Sequence, residues 1–260
     1  MTWILDLDGV VWLADRPIPG AADAVAQLRD RGEQVIFVTN NSSRVLDDYR
    51  DQLARMGIPT ERDELLTSAQ AAASLLEPGS TALVCAGPGV DEALAARGVN
   101  TVAEGRADAV VVGWDRNFDY ERLTAAMSCV LAGARLIGTN DDATYPTGAG
   151  PIPGGGSILA AVAYASGATP VVAGKPHEPL VEMLAKLASD IEVLVGDRPS
   201  TDGRLARRLG VTFGLVLSGV TRPGHGELDP APDVEAADLA ALVNGWPKRS
   251  DSSGAKARLP

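Results

Sequence analysis

Trp3-Ile4-Leu5-Asp6-Leu7-Asp8-Gly9-Val10-Val11 is the stretch on which the fold of this chain turns. A short apolar run rich in strand formers leads into two aspartates two positions apart, with a glycine after the second. Such a run reads as a buried strand. Carboxylates at the C-terminal end of a parallel strand stand where open α/β sheets bind their ligands. One carboxylate can then act as nucleophile and its neighbour as general acid and base. Both also suit a hard, oxygen-seeking cation such as Mg²⁺. An Asp-x-Asp pair occurs on solvated turns as well, so the weight falls on what surrounds it.

Outward from that strand, short apolar runs alternate with helical patterns, which predicts an α/β fold with a mainly parallel sheet. Pro19 to Arg31 reads as a helix closed by Gly32, and Gln34 to Val38 as a strand ending in Thr39-Asn40-Asn41-Ser42-Ser43. Val45, Tyr49, Leu53 and Met56 recur at helical spacing before Gly57. Ser68 to Leu76 reads as a helix cut by Pro78-Gly79. A second unit follows, with strands at Thr81 to Ala86, Ala109 to Gly113 and Arg135 to Thr139, and helices at Val90 to Arg97 and Tyr120 to Ala132. Gly148 to Gly156 reads as a loop or hinge on composition. The first pattern then resumes: a helix at Ser157 to Ser166, a strand at Val171 to Ala173, a helix at Glu178 to Ala188, and strands at Val193 to Val195 and Phe213 to Leu217 around a helix at Thr201 to Leu209. The expected plan is a core domain of residues 1–78 and 156–247, an inserted domain at 79–155, and a polar, aperiodic, disordered tail at 248–260. An insertion of this kind leaves a cleft between two domains, a common place for a small ligand.

Of the 260 residues, 45% are hydrophobic and 22% charged, which fits a folded globular chain. The formal net charge of −11 opposes nonspecific binding to nucleic acid. A small anionic substrate stays compatible, because a bound cation and one or two local cations reverse the field in a single cleft. Cys85 and Cys129 lie in apolar surroundings and read as buried, inert thiols. No basic stretch precedes the first apolar run, and no apolar segment has the length to span a bilayer. A soluble, cytoplasmic protein without a membrane partner is therefore expected.

Four patches each follow a strand-like run and are expected at one sheet edge: Asp6-x-Asp8, Thr39-Asn40-Asn41, Gly174-Lys175-Pro176, and Gly196-Asp197-Arg198 with Thr201-Asp202. Together they meet the needs of a phosphate monoester. Asp6 supplies a nucleophile and Asp8 a proton for the leaving alkoxide, then a base for the attacking water. Mg²⁺ held by Asp6, Asp197 and a backbone carbonyl near Asp8 lets two anions approach. Lys175 adds a point charge, while Thr39 Oγ and the N–H groups of Asn40 and Asn41 complete a phosphate cradle. Asp202 can orient Lys175 or a metal-bound water from behind.

In this order the four patches resemble the motifs of the haloacid dehalogenase (HAD) superfamily, mostly Mg²⁺-dependent phosphatases with a Rossmann-like core. Within it, Pro17 to Ala21, Thr39 to Ser43, Gly138-Thr139-Asn140-x-Asp142, Gly174-Lys175-Pro176 and Leu217 to Val220 resemble the NagD-like and p-nitrophenylphosphatase-like branch. That branch carries a large α/β cap, of C2 type, between the second and third motifs. Gly203 departs from the pattern, which usually has an apolar residue after Thr-Asp. The resemblance implies a phosphatase of small phosphorylated metabolites, with Asn140 or Asp142 facing substrate from the cap's return to the core. It also implies that such chains often pair through their caps as homodimers.

Bland alternatives exist for single residues. Asn140 and Asp142 can form a polar turn, and Trp12 reads as packing beside the catalytic loop. His177 and His225 have no metal-ligand spacing. The rival for the whole chain is a non-catalytic or phospho-acceptor signalling protein on the same fold. A receiver of that type is much shorter and lacks an insertion. A phosphomutase of the superfamily usually needs a helical cap between the first two motifs, where only 30 residues separate Asp8 from Thr39.

Overall fold

The computed structural model describes residues 1–14, 16–147 and 150–247; the expected disordered tail at 248–260 lies outside them. Thr2–Asp6 is the central strand of a six-stranded sheet. On one side it pairs in parallel with Gln34–Thr39, which pairs with Leu65–Thr67. On the other it pairs with Ile191–Gly196, followed by Thr212–Val216 and Val234–Ala236, again all parallel. The chain thus builds one half of the sheet, leaves, and returns to build the other. The switch point falls between Thr2–Asp6 and Ile191–Gly196, and crevices at the carboxyl ends of strands beside such a point bind ligands.

Both faces of this sheet are covered, which is why its strands are continuous apolar runs. Trp3, Leu5, Val35, Phe37, Val193 and Val195 pack on one face under the helices Ala21–Asp30, Leu46–Arg55 and Leu239–Gly245. The first of these buries Ala21, Ala24, Val25 and Leu28, a stripe at helical spacing. Ile4, Ile36, Val38, Leu194 and Leu215 point to the other face, under Ser68–Ala73, Glu178–Leu187 and Arg204–Leu209.

A second sheet has the order Val171–Val172, Arg135–Gly138, Ala109–Val112, Thr81–Cys85, Asn100–Val102, all parallel. Its residues Ala82, Ala109, Val111 and Ile137 join the same apolar cluster as Ile4 and Leu194, with the alanine-rich helices Ser68–Ala73 and Pro88–Ala96 between the sheets. Its far face, with Leu83, Cys85, Val110, Val112 and Leu136, packs on Tyr120–Leu131 and Gly155–Ser166. Cys85 and Cys129 are buried and free there, and burial pushes the Cys85 thiol up to about 11.

The crossing back to the first sheet comes later than residue 155. The helix Gly155–Ser166 buries Leu159 and Val162 against the second sheet, and Val171–Val172 is that sheet's edge strand beside Ile137 and Gly138. Gly138 matters to this packing, because a Cβ there would collide with the Leu159 side chain. Amphipathic spacing marks Leu159 and Val162 as buried but does not say under which sheet. The glycine-rich stretch differs as well. Thr144–Thr147 and Gly150–Pro153 pair as an antiparallel hairpin, and the next helix starts at Gly155.

Candidate active site

Asp6 is the last residue of the central strand, and Asp197 follows Ile191–Gly196 on the other side of the switch point. Between Leu7 and Trp12 the chain makes a tight turn in which the Leu7 carbonyl accepts from the N–H groups of Val10, Val11 and Trp12. Gly9 adopts φ +83° in this turn and lies against Asp197, where a Cβ would strike the carboxylate. Gly219 approaches the same carboxylate from the other side with the same constraint. Two bare backbones therefore clamp Asp197, and the Val220 N–H donates to its Oδ2.

Lys175 lies at the centre. Its Nζ stands 2.7 Å from Asp6 Oδ1 and 2.7 Å from Asp202 Oδ1, and the side chain is only 3% exposed. Burial works against the ammonium, yet Asp202 and Asp6 outweigh it and hold its pKa above the ordinary lysine range. Burial raises the Asp6 carboxyl well above its usual range, Lys175 opposing and Asp202 and Asp197 adding to the rise. Burial and then Asp202 lift Asp197 to about 7. Asp202 accepts from the Arg198 N–H through Oδ2 at 3.1 Å, so both its oxygens are engaged. It is held at the end of a short π-helical turn, Pro199–Gly203, which replaces the start of the expected helix at Thr201.

One carboxylate oxygen each of Asp6, Asp197 and Asp202 lies within 4.8 Å of the others. The Asp8 carboxylate is not of this group. It is half-buried and accepts from Trp12 Nε1 at 3.1 Å, with Tyr145 Oη 3.5 Å from the same oxygen. Trp12 thus holds the Asp8 side chain, a contact that its position four residues on does not announce.

The strand Gln34–Thr39 delivers Thr39, which is buried and accepts the Asn41 N–H through Oγ1 at 3.0 Å. That N–H, expected to face phosphate, is committed within the loop here. The Asn40 side chain is also committed: Oδ1 accepts from the Lys175 N–H at 2.7 Å, and Nδ2 donates to Asp142 Oδ2 at 2.9 Å. Lys175 itself does not come from a strand of the first sheet, as expected, but from just beyond Val171–Val172 in the second. Asn40 is what docks it at the first sheet's edge.

Asn140 and Asp142 line the same cavity, but their polar atoms bind protein. Asn140 Nδ2 donates to the Asn40 carbonyl at 2.8 Å, and Asp142 Oδ1 accepts from Arg198 Nη1 at 3.0 Å. The cavity over these groups measures 70 Å³. At about 10–15 Å³ of such space per water, it has room for a phosphate-sized group. Arg198 stands in the fourth patch without a role assigned from sequence, whereas Tyr145 has no motif to mark it.

The model for haloacid dehalogenase-like hydrolases matches residues 3–100, and a HAD-hydrolase-like model matches residues 172–242. A 5′-nucleotidase of Bacillus subtilis is 33% identical over 91% of this chain and 94% of its own. The p-nitrophenyl phosphatase structure from Archaeoglobus fulgidus superposes with a TM-score of 0.86 at 30% identity, covering 94% of this chain and 98% of that one. A glycerol phosphate phosphatase of Mycobacterium tuberculosis, crystallised with magnesium, gives 0.85 at 33% identity over 93% of this chain and 75% of its own. The chain belongs to the haloacid dehalogenase-like hydrolase family. Its relatives within the family are the NagD-like, p-nitrophenylphosphatase-like phosphatases, and it is accordingly a phosphomonoesterase.

Proposed function

We propose that this enzyme hydrolyses phosphate monoesters of small metabolites through an aspartyl-phosphate on Asp6, with Asp8 as acid and base. The observation that carries this is the cluster at the switch point: Asp6 held by Lys175, Asp197 clamped beside it, and Asp8 turned aside onto Trp12. Three buried carboxylates against one buried ammonium leave negative charge that a divalent cation would cancel. Their oxygens fit Mg²⁺, which would be held by Asp6 and Asp197 with the Asp8 main-chain carbonyl. Bound there, the ion neutralises charge on the phosphoryl oxygens so that an anionic nucleophile can approach.

The rest falls to the chain. Asp6 forms a bond from its carboxylate oxygen to phosphorus as the ester oxygen leaves. Asp8 gives that oxygen its proton. Water then attacks the phosphorus, Asp8 takes the water's proton, and the Asp6 carboxylate is released with inorganic phosphate. Lys175 keeps one Asp6 oxygen fixed, so the other is the one presented, and it adds positive charge beside the phosphoryl group. The Thr39 hydroxyl and the Asn40 N–H supply hydrogen bonds to the phosphate, the Asn41 N–H being spent on Thr39 Oγ1. Asn40 and Asp142 act one layer out, docking the Lys175 loop and Arg198.

Glycerol phosphate, phosphoglycolate, sugar phosphates and nucleotides are the candidate substrates. The net charge of −11 speaks against nucleic acid, and the two free, buried cysteines fit the cytoplasm. The cap carries a homodimer contact in this reading, testable by sedimentation. The deciding experiment is phosphate release across a metabolite panel with Mg²⁺ or EDTA, for wild type and Asp6→Asn. Turnover requiring metal and lost in Asp6→Asn is expected; turnover surviving in that variant excludes the covalent route.

A further inference from the structure

A cavity of 1410 Å³ opens beside Asp8 and is lined by Arg16, Arg44, Arg55, Arg116 and Arg222. They converge from distant stretches: the hairpin Trp12–Leu13/Arg16–Pro17, the helix Leu46–Arg55 and the segment before it, the loop after Ala109–Val112, and the loop after Thr212–Val216. In a chain of net charge −11, the sole acid among the described lining residues is Asp8. None of the five forms an ion pair among the described residues, whereas eight other arginines do. Arg44 is held in place, its guanidinium 4.8 Å from the Tyr49 ring centroid and bonded to Gln52 and the Asp48 carbonyl. Arg16, Arg55, Arg116 and Arg222 are exposed and Arg44 half-buried, so water screens their mutual repulsion, and what they offer is a set of guanidinium forks with no ion-pair partner among the described residues, open to an anion.

The scissile phosphate is not that anion. Its 70 Å³ cavity lies beside Lys175 and adjoins the arginine chamber along Asp8, Leu13, Asn41, Trp114, Tyr145 and Val220, and none of the five arginines lines it. The arginines therefore face the leaving-group side of the reacting bond. Resting on the phosphatase function above, we propose that the leaving alcohol itself carries a second anionic group, a phosphate or a carboxylate, bound by these arginines. Guanidinium forks match either group in bidentate fashion. A plain polyol such as glycerol would leave them unmatched, and the chamber exceeds the ~300–1,000 Å³ of ordinary small-ligand pockets. Trp114 and Tyr145, stacked 4.6 Å apart at the junction, add an aromatic wall suited to a planar ring.

The test compares two matched pairs under Mg²⁺: glycerol 3-phosphate with 3-phosphoglycerate, and adenosine 5′-monophosphate with adenosine 3′,5′-bisphosphate, with p-nitrophenyl phosphate as reference. The second member of at least one pair should have a kcat/KM at least ~10-fold higher, the gap narrowing as salt rises from about 20 to about 200 mM. Which pair responds tells carboxylate from phosphate. Arg116→Gln/Arg222→Gln should cost the doubly anionic member ~10-fold more than its partner, mostly in KM. Equal kcat/KM within both pairs, or equal losses in the variant, overturns the proposal. No turnover of any compound, p-nitrophenyl phosphate included, instead overturns the phosphatase function on which it rests.

Discussion

Lys175 sets the tightest constraint at the level of single residues. Its ammonium separates Asp6 from Asp202, each 2.7 Å away, and no neutral side chain can do that. Lys175→Met should leave two buried carboxylates unscreened, reducing kcat by ~10³-fold or more; steady-state kinetics with a thermal melt would separate this from unfolding. Trp12→Phe should remove the donor to Asp8 while preserving the packing, with a ~10-fold loss in kcat, and unchanged kinetics would deny Trp12 any part in placing Asp8. Gly219→Ala should drive a methyl group into the Asp197 carboxylate, weakening Mg²⁺ binding by titration. At this scale the sequence was most legible where chemistry needs a residue type at a strand end, as for Asp6, Asp197 and Lys175. It was least legible for Trp12 and Tyr145, because an indole or phenol donor is indistinguishable from packing until the turn that aims it is known.

Loops and strand ends carry the next layer of organisation. Asn40 and Asp142 join the first sheet's edge to the segment that follows Arg135–Gly138 and to Arg198. Asp142→Ala should free the Arg198 guanidinium and remove one of the Asn40 contacts, Asn40 keeping its two bonds to the Lys175 main chain, lowering kcat/KM ~10-fold while leaving secondary structure intact; a circular dichroism spectrum and a kinetic assay decide it. The helix Gly155–Ser166 shows where patterning stops informing. Its apolar stripe foretells burial, yet Leu159 and Val162 pack under the second sheet because Gly138 leaves room for Leu159 there. Short strands such as Leu65–Thr67 and Asn100–Val102 are illegible in the sequence for a related reason. Three residues give no period to read, and their pairing partners lie far along the chain.

Taken as a whole, the molecule keeps a cluster of acidic side chains at the switch point and, just outside it, five arginines that form no ion pair among the described residues. Asp197 is lifted by burial and Asp202 to about 7, so below that pH the folded metal-free protein favours a proton there that it would release on unfolding above about pH 4. Folding stability from this group is therefore present at low pH and is lost as pH rises through 7. The Tm of EDTA-treated protein should fall between about pH 5 and about pH 8, and Mg²⁺ should restore it most at the upper end, where the carboxyls are free to bind. A Tm that climbed over that interval would contradict the sign. The apolar cluster shared by the two sheets through Ser68–Ala73 and Pro88–Ala96 has its own consequence for traffic. Parting the sheets like jaws would wet that alanine-rich seam, so opening there costs free energy that passage through the arginine-lined mouth does not. Traffic of reactants and products through that standing mouth is then the cheaper route, and turnover should be paced by events there instead of by a swinging domain.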